Sequence, residues 1–207
     1  MDATKSLIDH LIFKGGSLPP IRAALYEYVM AAGGLYVRGR REGMEAVVPV
    51  TAAPVPGLAT LEPGIALAYP RVPLPLMTEM LALSAQAGAV GLERLFYLAW
   101  ESDRWILLHP AQRQNSDEVE PLDYQPGSEF SRAFIEVHSH NRWPARFSAK
   151  DNRAERDFRL YAVIGRIDSA PEIRLRAGLY GNFLEIPSNQ VFEMPPDLRD
   201  AAEVCTR

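Results

Sequence analysis

The chain has 207 residues, of which 47% are hydrophobic and 23% are charged, a composition typical of a protein with a buried core. Its formal net charge of −4 argues against nonspecific binding to nucleic acid, which requires a basic surface. No apolar run approaches the roughly 20 residues of a membrane-spanning helix, and the N-terminus has no secretory signal pattern. The single cysteine, Cys205, excludes a disulfide framework, and a cytoplasmic protein is expected.

Residues 1–70 are predicted to form an accessory module of one helix and several strands. The helix is expected between the proline pair 19–20 and the glycine pair 33–34, because apolar residues recur there at helical spacing. Two strands are expected around a turn at 40–43, and another at 64–69. The arginines near that turn are expected to be solvated: Arg38, Arg40 and Arg41.

Residues 71–195 are predicted to form the main domain, followed by a polar tail at 196–207. A helix over 74–88 precedes a central strand that begins near Glu93 and a hairpin partner at 104–110. The polar segment 111–130 is expected to be a surface loop or a short strand with turns. The remaining elements are expected at 134–140 (strand), 148–158 (short helix), and 160–167, 172–180 and 183–187 (strands). This order predicts an α/β (α+β) fold, a mixed β-sheet flanked by helices.

The candidate site lies in residues 135–151, with the sequence IEVHSHNRWPARFSAKD. His138 and His140 are two residues apart, so on a strand both imidazoles point to the same side. Asp151 could complete a three-ligand site, the arrangement in which catalytic zinc keeps its fourth position for water. The spacing of Ser148 and Asp151 also predicts a capping box at a helix start. Taken alone, the histidine pair fits equally well two solvated side chains at a strand end.

Two other metal-site patterns fit this spacing poorly. A cupin-like site requires a glutamate within a few residues of its histidine pair, and residues 141–145 contain none. Barrel metallohydrolases carry the pair near the start of a longer chain, whereas here it lies two-thirds along the sequence.

The pattern H-x-H-x7-S-x2-D, formed by His138, His140, Ser148 and Asp151, resembles the JAMM motif of the MPN+ (Mov34/JAB) zinc isopeptidases. That motif also requires an upstream glutamate at the start of the first central strand, where Glu93 stands. The resemblance covers about residues 72–190 and implies an MPN/JAB-like (cytidine-deaminase-like) fold that binds one Zn2+ per chain. It implies that the two histidines and Asp151 are the ligands. Glu93 would be the general base and acid, and Ser148 the hydrogen-bond donor to the oxyanion.

Several residues near the motif leave alternatives open. Asn141 occupies a loop position where most family members have proline, but it is not a ligand position. By alternation, Glu136 shares a strand face with the histidines and is a rival to Glu93 as acid–base group, although matching family members have no carboxylate there. Trp143 and Phe147 lie between the ligands, where they would either line a substrate groove or pack the loop.

The compact segment between Glu93 and His138 resembles that of minimal prokaryotic JAB proteins. Together with the N-terminal module, it is similar to the family of A proteins of bacterial PRTRC gene systems, which also encode ubiquitin-activating-like and ubiquitin-conjugating-like proteins. The resemblance implies a deubiquitinase-like metalloprotease that hydrolyses an amide or isopeptide bond at the C-terminal tail of a ubiquitin-like protein or precursor. Two alternatives stay open: a non-catalytic MPN-type scaffold that binds partners, and a peptidase acting on small or cell-wall peptides.

Overall fold

The computed structural model describes residues 6–202, which form two compact units. One unit comprises the chain up to Tyr69 together with Arg156–Phe158 and Ala177–Leu184. The other comprises Pro70–Glu155, Arg159–Arg176 and the chain from Glu185 onward. Cys205 and the last residues of the predicted tail lie outside the described part of the chain.

The described residues are mostly β-sheet with three α-helices, which confirms the predicted mixed α+β class. None of these helices is long and apolar enough to cross a membrane.

The N-terminal sheet has five strands in the order β1-β2-β3-β4-β5, with β1 parallel to β2 and the other pairs antiparallel. Their bounds are Ile8–Ile12 (β1), Tyr26–Ala31 (β2), Gly34–Arg41 (β3), Met44–Ala52 (β4) and Gly64–Leu67 (β5). The two strands predicted around the turn at 40–43, and the strand predicted within 64–69, are therefore confirmed.

The helix predicted between the proline and glycine pairs is wrong, because the chain forms β2 there. Burial along β2 alternates with period two, so that Glu27, Val29 and Ala31 are buried on one face. β2 hydrogen-bonds to strands on both sides, which satisfies its backbone groups. Aromatic and β-branched residues such as Tyr28 and Val29 also fit a pleated sheet, so sheet pairing overrides the helical spacing.

Arg38 is not the solvated residue that the sequence predicts. It faces Glu27 across the β2–β3 pair, and its Nε donates a 2.8 Å hydrogen bond to Glu27 Oε2. Both side chains are only 5% exposed. The other carboxylate oxygen of Glu27 accepts a 2.7 Å hydrogen bond from the backbone N–H of Arg22. This buried ion pair therefore ties the segment before β2 to the sheet.

The second sheet has the order β13-β12-β11-β10-β6-β7, with β14 beside β12, and β8 and β9 form a separate hairpin. Its elements are α1 (Leu74–Ala89), β6 (Leu95–Glu101), β7 (Arg104–Leu108), β8 (Gln112–Gln114), β9 (Val119–Pro121), α2 (Glu129–Arg132), β10 (Ile135–His140), α3 (Ala149–Ala154), β11 (Arg159–Gly165), β12 (Glu172–Leu179), β13 (Asn182–Ile186) and β14 (Arg199–Asp200). A short 3-10 helix spans Ser188–Gln190.

The predicted helix at 74–88, the central strand, its hairpin partner and the strand that carries the histidines are confirmed. β10 lies inside the sheet, antiparallel to β6 and parallel to β11. Within the predicted tail, Arg199–Asp200 pair with β12, so part of that tail belongs to the sheet.

We expect Glu27→Ala to lower the free energy of unfolding by about 3–5 kcal/mol, because Arg38 would stay buried without its counter-charge. The control is Glu45→Ala, which removes a 4.0 Å ion pair with Arg40 between side chains that are 59% exposed. That change should cost less than about 1 kcal/mol. Urea unfolding of both variants measures the difference, and equal effects would contradict a structural role for the buried pair.

Candidate metal centre

β10 brings His138 and His140 together at its C-terminal end. In the sheet register His138 lies opposite Leu95 of β6, and His140 lies beside Gly165 of β11. Since both neighbours are hydrogen-bonded to β10, the direction of its side chains is set by the sheet. The two imidazoles converge, with their Nε2 atoms 3.1 Å apart.

Asp151 reaches the histidines from the first turn of α3. Ser148 is the N-cap of this helix, and its hydroxyl oxygen accepts hydrogen bonds from the backbone N–H groups of Lys150 (3.2 Å) and Asp151 (3.1 Å). Asp151 Oδ2 in turn accepts a 2.5 Å hydrogen bond from the backbone N–H of Ser148. This confirms the predicted capping box. Because capping occupies Oδ2, the other oxygen, Oδ1, is free to face His138, whose Nε2 lies 3.8 Å away.

His138, His140 and Asp151 could hold a metal ion. One ligand atom from each residue lies within 4.8 Å of the other two. In a tetrahedral site with bonds of about 2.1 Å, neighbouring ligand atoms are roughly 3.4 Å apart. Two of the three separations, 3.1 Å between the imidazoles and 3.8 Å between His138 and Asp151, lie close to that value.

Burial keeps His138 in the form that binds metals. It lowers the pKa of this imidazole to about 4, and the charge of Asp151 opposes the shift while His140 and Arg176 add to it. His138 is therefore neutral at neutral pH, as a metal ligand must be.

His140 is oriented by the carbonyl of Pro144, a residue that sequence reasoning did not single out. His140 Nδ1 lies 3.2 Å from this oxygen. A carbonyl oxygen can only accept a hydrogen bond, so we assign the proton to Nδ1 and the lone pair to Nε2. The lone pair then faces His138 and Asp151.

Glu93 lies just before β6, where Arg94 and Ser139 extend the contact with β10. The backbone N–H of Ser139 donates to the Arg94 carbonyl, and that of Arg94 donates to Ser139 Oγ, both at 2.9 Å. On its other side, the backbone N–H of Glu93 donates a 2.9 Å hydrogen bond to the Asn115 carbonyl. The backbone carbonyl of Glu93 accepts a 2.7 Å hydrogen bond from Gln114 Nε2. The β8–β9 hairpin therefore supports Glu93, in a segment for which the sequence predicted a surface loop or a short strand with turns.

Glu93 is 4% exposed. Burial raises its pKa to about 8, with further raising contributions from the charges of Asp151 and Asp117 and a lowering one from Lys150. The contacts of Arg94 with Ser139 place the backbone of Glu93 next to the end of β10 that carries the histidines. Glu93 is thus a buried acid that takes up and releases a proton near neutral pH.

Glu136 has a different environment from Glu93. Its carboxylate forms a 3.5 Å ion pair with Arg159, which is itself buried. An adjacent guanidinium favours the ionised form of a carboxylate and so opposes its protonation. The geometry favours Glu93 over Glu136 as the acid–base group, and this assignment stays a prediction.

The two aromatic residues between the ligands have different roles. Phe147 is half-buried, and the Arg176 guanidinium lies 3.8 Å from its ring centroid, so it packs the loop. Trp143 is 65% exposed and is therefore not packed in the loop in this way.

Arg176 on β12 holds α3 in place, a role that sequence reasoning missed. Its Nε donates a 2.9 Å hydrogen bond to Glu155 at the C-terminal end of α3, and its Nη1 donates a 2.6 Å hydrogen bond to Asn152. Both charged side chains are almost fully buried. No pattern in the sequence indicates this role, because alternation places Arg176 on the strand face of Glu172 and Arg174, opposite the apolar Leu175 and Ala177.

No protein-family model and no curated protein matches this sequence. Among solved structures, the chain is similar to the solution structure of protein DSY2949 from Desulfitobacterium hafniense. The two are 20% identical, the match covers 63% of this chain and 92% of that one, and the TM-score is 0.38.

We expect Glu93→Gln to stabilise the metal-free protein at pH 8 but not at pH 5. With a folded pKa of about 8 against an ordinary value of 4.5, Glu93 holds its proton in the folded state between these values. Folding stability therefore falls as the pH rises through this window, and a neutral amide removes the loss. Comparing the two pH values cancels pH-independent effects of the substitution.

The measurement is urea unfolding of chelator-treated protein at both pH values, with the exposed Glu62→Gln as the matched control. The stability gain of Glu93→Gln should increase by a few kcal/mol from pH 5 to pH 8, and that of the control should not change. An equal gain at both pH values would mean that Glu93 is ionised throughout.

Proposed function

We propose that the chain is a JAMM-type zinc metallopeptidase that hydrolyses an amide or isopeptide bond at the C-terminal tail of a ubiquitin-like protein or precursor. The observation that carries this proposal is the pairing of a three-ligand cluster, His138, His140 and Asp151, with the buried and protonatable Glu93 nearby. A compact MPN/JAB-like fold for residues 71–195 is part of the same proposal. It is supported by the order of α1, β6, β10 and α3.

The donor set supports zinc as the metal. Two neutral imidazoles and one carboxylate are typical of catalytic zinc sites, which leave a position open for water. When bound, the ion would act as a Lewis acid that lowers the pKa of a water molecule to about 7.

Glu93 supplies the proton transfer in the proposed reaction. Its carboxylate accepts a proton from the attacking water as the new C–O bond forms. The same proton then passes to the amine nitrogen as the C–N bond breaks, so that acid and amine products leave without a covalent intermediate. Burial raises the pKa of Glu93 to about 8 without a metal ion, and the positive charge of a bound ion would lower it from there toward neutral pH, where general acid–base catalysis is most effective.

Ser148 donates a hydrogen bond to the oxyanion that develops on the substrate carbonyl. Its oxygen lone pairs accept from the backbone N–H groups of Lys150 and Asp151, so the hydroxyl proton is the part left to donate. Since the cap fixes the oxygen, no reorganisation is needed during the reaction.

The exposed Trp143 supports a polypeptide substrate. A large indole held at 65% exposure beside the ligands offers an apolar contact for an extended chain. Ubiquitin-activating-like and ubiquitin-conjugating-like proteins would be the partners of such an enzyme.

The test of the proposal is metal content followed by hydrolysis. We expect one zinc per chain, lost in the double variant His138→Ala/His140→Ala. Glu93→Gln should keep the zinc and lower kcat for ubiquitin-like fusion proteins by about 10²–10⁴-fold, the typical contribution of general acid–base catalysis.

Glu136→Gln is the matched control and should retain most of the activity. Loss of activity in this variant alone would transfer the acid–base role to Glu136. A folded protein without zinc and without hydrolysis would contradict the proposal and support a non-catalytic MPN-type scaffold, and cleavage of only small or cell-wall peptides would change the substrate.

Ser148 allows catalysis and capping to be separated. We expect Ser148→Ala to lower stability by about 1 kcal/mol and to abolish most of the activity. Ser148→Asp should restore the cap but not the activity, because an ionised carboxylate caps a helix and donates no hydrogen bond. Unfolding curves and kcat measure the two effects.

The matched control is Ser128→Ala, which removes the N-cap of α2, where the Ser128 side chain accepts from the N–H of Ser131. It should lower stability in the same range and leave kcat unchanged. Full activity of Ser148→Asp would rule out a role for the hydroxyl in oxyanion stabilisation.

A further inference from the structure

The loop that joins His140 to Ser148 folds back over the end of β11. Directly beside His140 in the parallel register, the last residue of β11 is Gly165. Beyond it, the backbone N–H of Arg166 donates to the Trp143 carbonyl (2.8 Å), and that of Ile167 donates to the Asn141 carbonyl (2.9 Å). The loop is thus fastened to the chain that continues from β11.

The close approach of this loop depends on the absence of a side chain at Gly165. A Cβ atom there would lie 2.2 Å from the backbone nitrogen of Ala145 and 2.5 Å from both the carbonyl carbon of Pro144 and the carbonyl oxygen of Trp143. All three are backbone atoms, which cannot move aside by rotating a side chain. Any residue larger than glycine must therefore displace the loop.

A side chain from β12 holds the same loop from another direction. The backbone N–H of Ala145 donates a 3.0 Å hydrogen bond to Glu172 Oε1, and the Arg166 guanidinium lies 3.2 Å from that oxygen. The peptide that links Pro144 to Ala145 thus packs closely against Gly165 on one side and is hydrogen-bonded to the Glu172 carboxylate on the other.

That peptide carries the carbonyl that orients His140. Pro144 O lies 3.2 Å from His140 Nδ1, so a shift of the loop would break this hydrogen bond. His140 would then lose both its ring orientation and the preference for the tautomer with its lone pair on Nε2.

We propose that Gly165 is a positioning residue for the metal centre: its missing side chain lets the 143–145 loop set the orientation and tautomer of His140. This inference rests on the proposed function only in taking His140 as a metal ligand. It assigns a role to a residue that carries no ligand atom and that shares no sequence motif with the site.

The experiment compares the Gly165→Ala variant with the wild-type protein. The zinc dissociation constant is measured by competition with a chelator, and the tautomer of His140 is read from imidazole nitrogen chemical shifts in the metal-free protein. We expect about 10–100-fold weaker zinc binding, the usual effect of removing a hydrogen bond to a ligating histidine. The wild-type His140 should carry its proton on Nδ1, and the variant should show a mixture of tautomers.

The matched control is Gly64→Ala on β5, where a Cβ would meet nothing within 4 Å. It should leave the zinc dissociation constant and the His140 tautomer unchanged. A folded Gly165→Ala variant with wild-type zinc binding and tautomer would overturn the proposal.

If Gly165→Ala does not fold, the same two measurements are made on Glu172→Ala. This variant removes the hydrogen-bond acceptor for the Ala145 N–H without adding atoms near Gly165. Weaker zinc binding with a tautomer mixture supports the proposal, and wild-type behaviour contradicts it. A wild-type chain that binds no zinc would contradict the proposed function instead, while the tautomer measurement on metal-free protein would still decide the role of Gly165.

Discussion

The candidate metal centre depends on the hydrogen-bonded pairing of β10 with β6 on one side and β11 on the other. This pairing fixes the register of both histidines, because a slip of one residue would turn them to the opposite face. Through β6 it also brings Glu93 close to the site, and through β11 it brings Gly165 beside His140. A strand at a sheet edge could present the same two imidazoles, but it would have a neighbour on one side only.

Burial has opposite chemical consequences for the two titratable groups at the centre. It removes the charge from His138 by lowering its pKa to about 4, and it favours the neutral form of Glu93 by raising its pKa to about 8. In the proposed function, the first shift suits a metal ligand and the second suits a carrier of protons. The shift at Glu93 costs folding stability above its ordinary pKa of 4.5, and the shift at His138 costs folding stability below its ordinary pKa of 6.5. Stability is commonly given up in this way at functional sites.

The share of the structure that could be predicted from the sequence differed between the two units. The strand with the histidines, the capping box and the helix before Glu93 follow from local patterns, and each was predicted correctly. In the N-terminal sheet, the apolar spacing before Gly33 favoured a helix, whereas β1 and β3 hold that segment as β2. Arg38 looked solvated beside a turn, yet the strand register places it opposite Glu27 in a buried pair. Both errors have one cause, since the deciding partners lie on neighbouring strands, outside the local window in which the spacing was interpreted.

The sequence by itself determined the types of candidate ligand atom and the local structures, a strand and a helix cap, that orient them. Alternation on a strand aligns His138 with His140, and the spacing of Ser148 and Asp151 makes a cap whose free oxygen faces the histidines. Only the tertiary structure decided how these parts are supported. The space at Gly165 and the Arg176 contacts with α3 join segments that are separate in the chain. The Pro144 carbonyl lies only four residues from His140, but the packing of its loop against Gly165 decides its position. Such contacts depend on packing and distance in three dimensions, for which a linear pattern carries no signal.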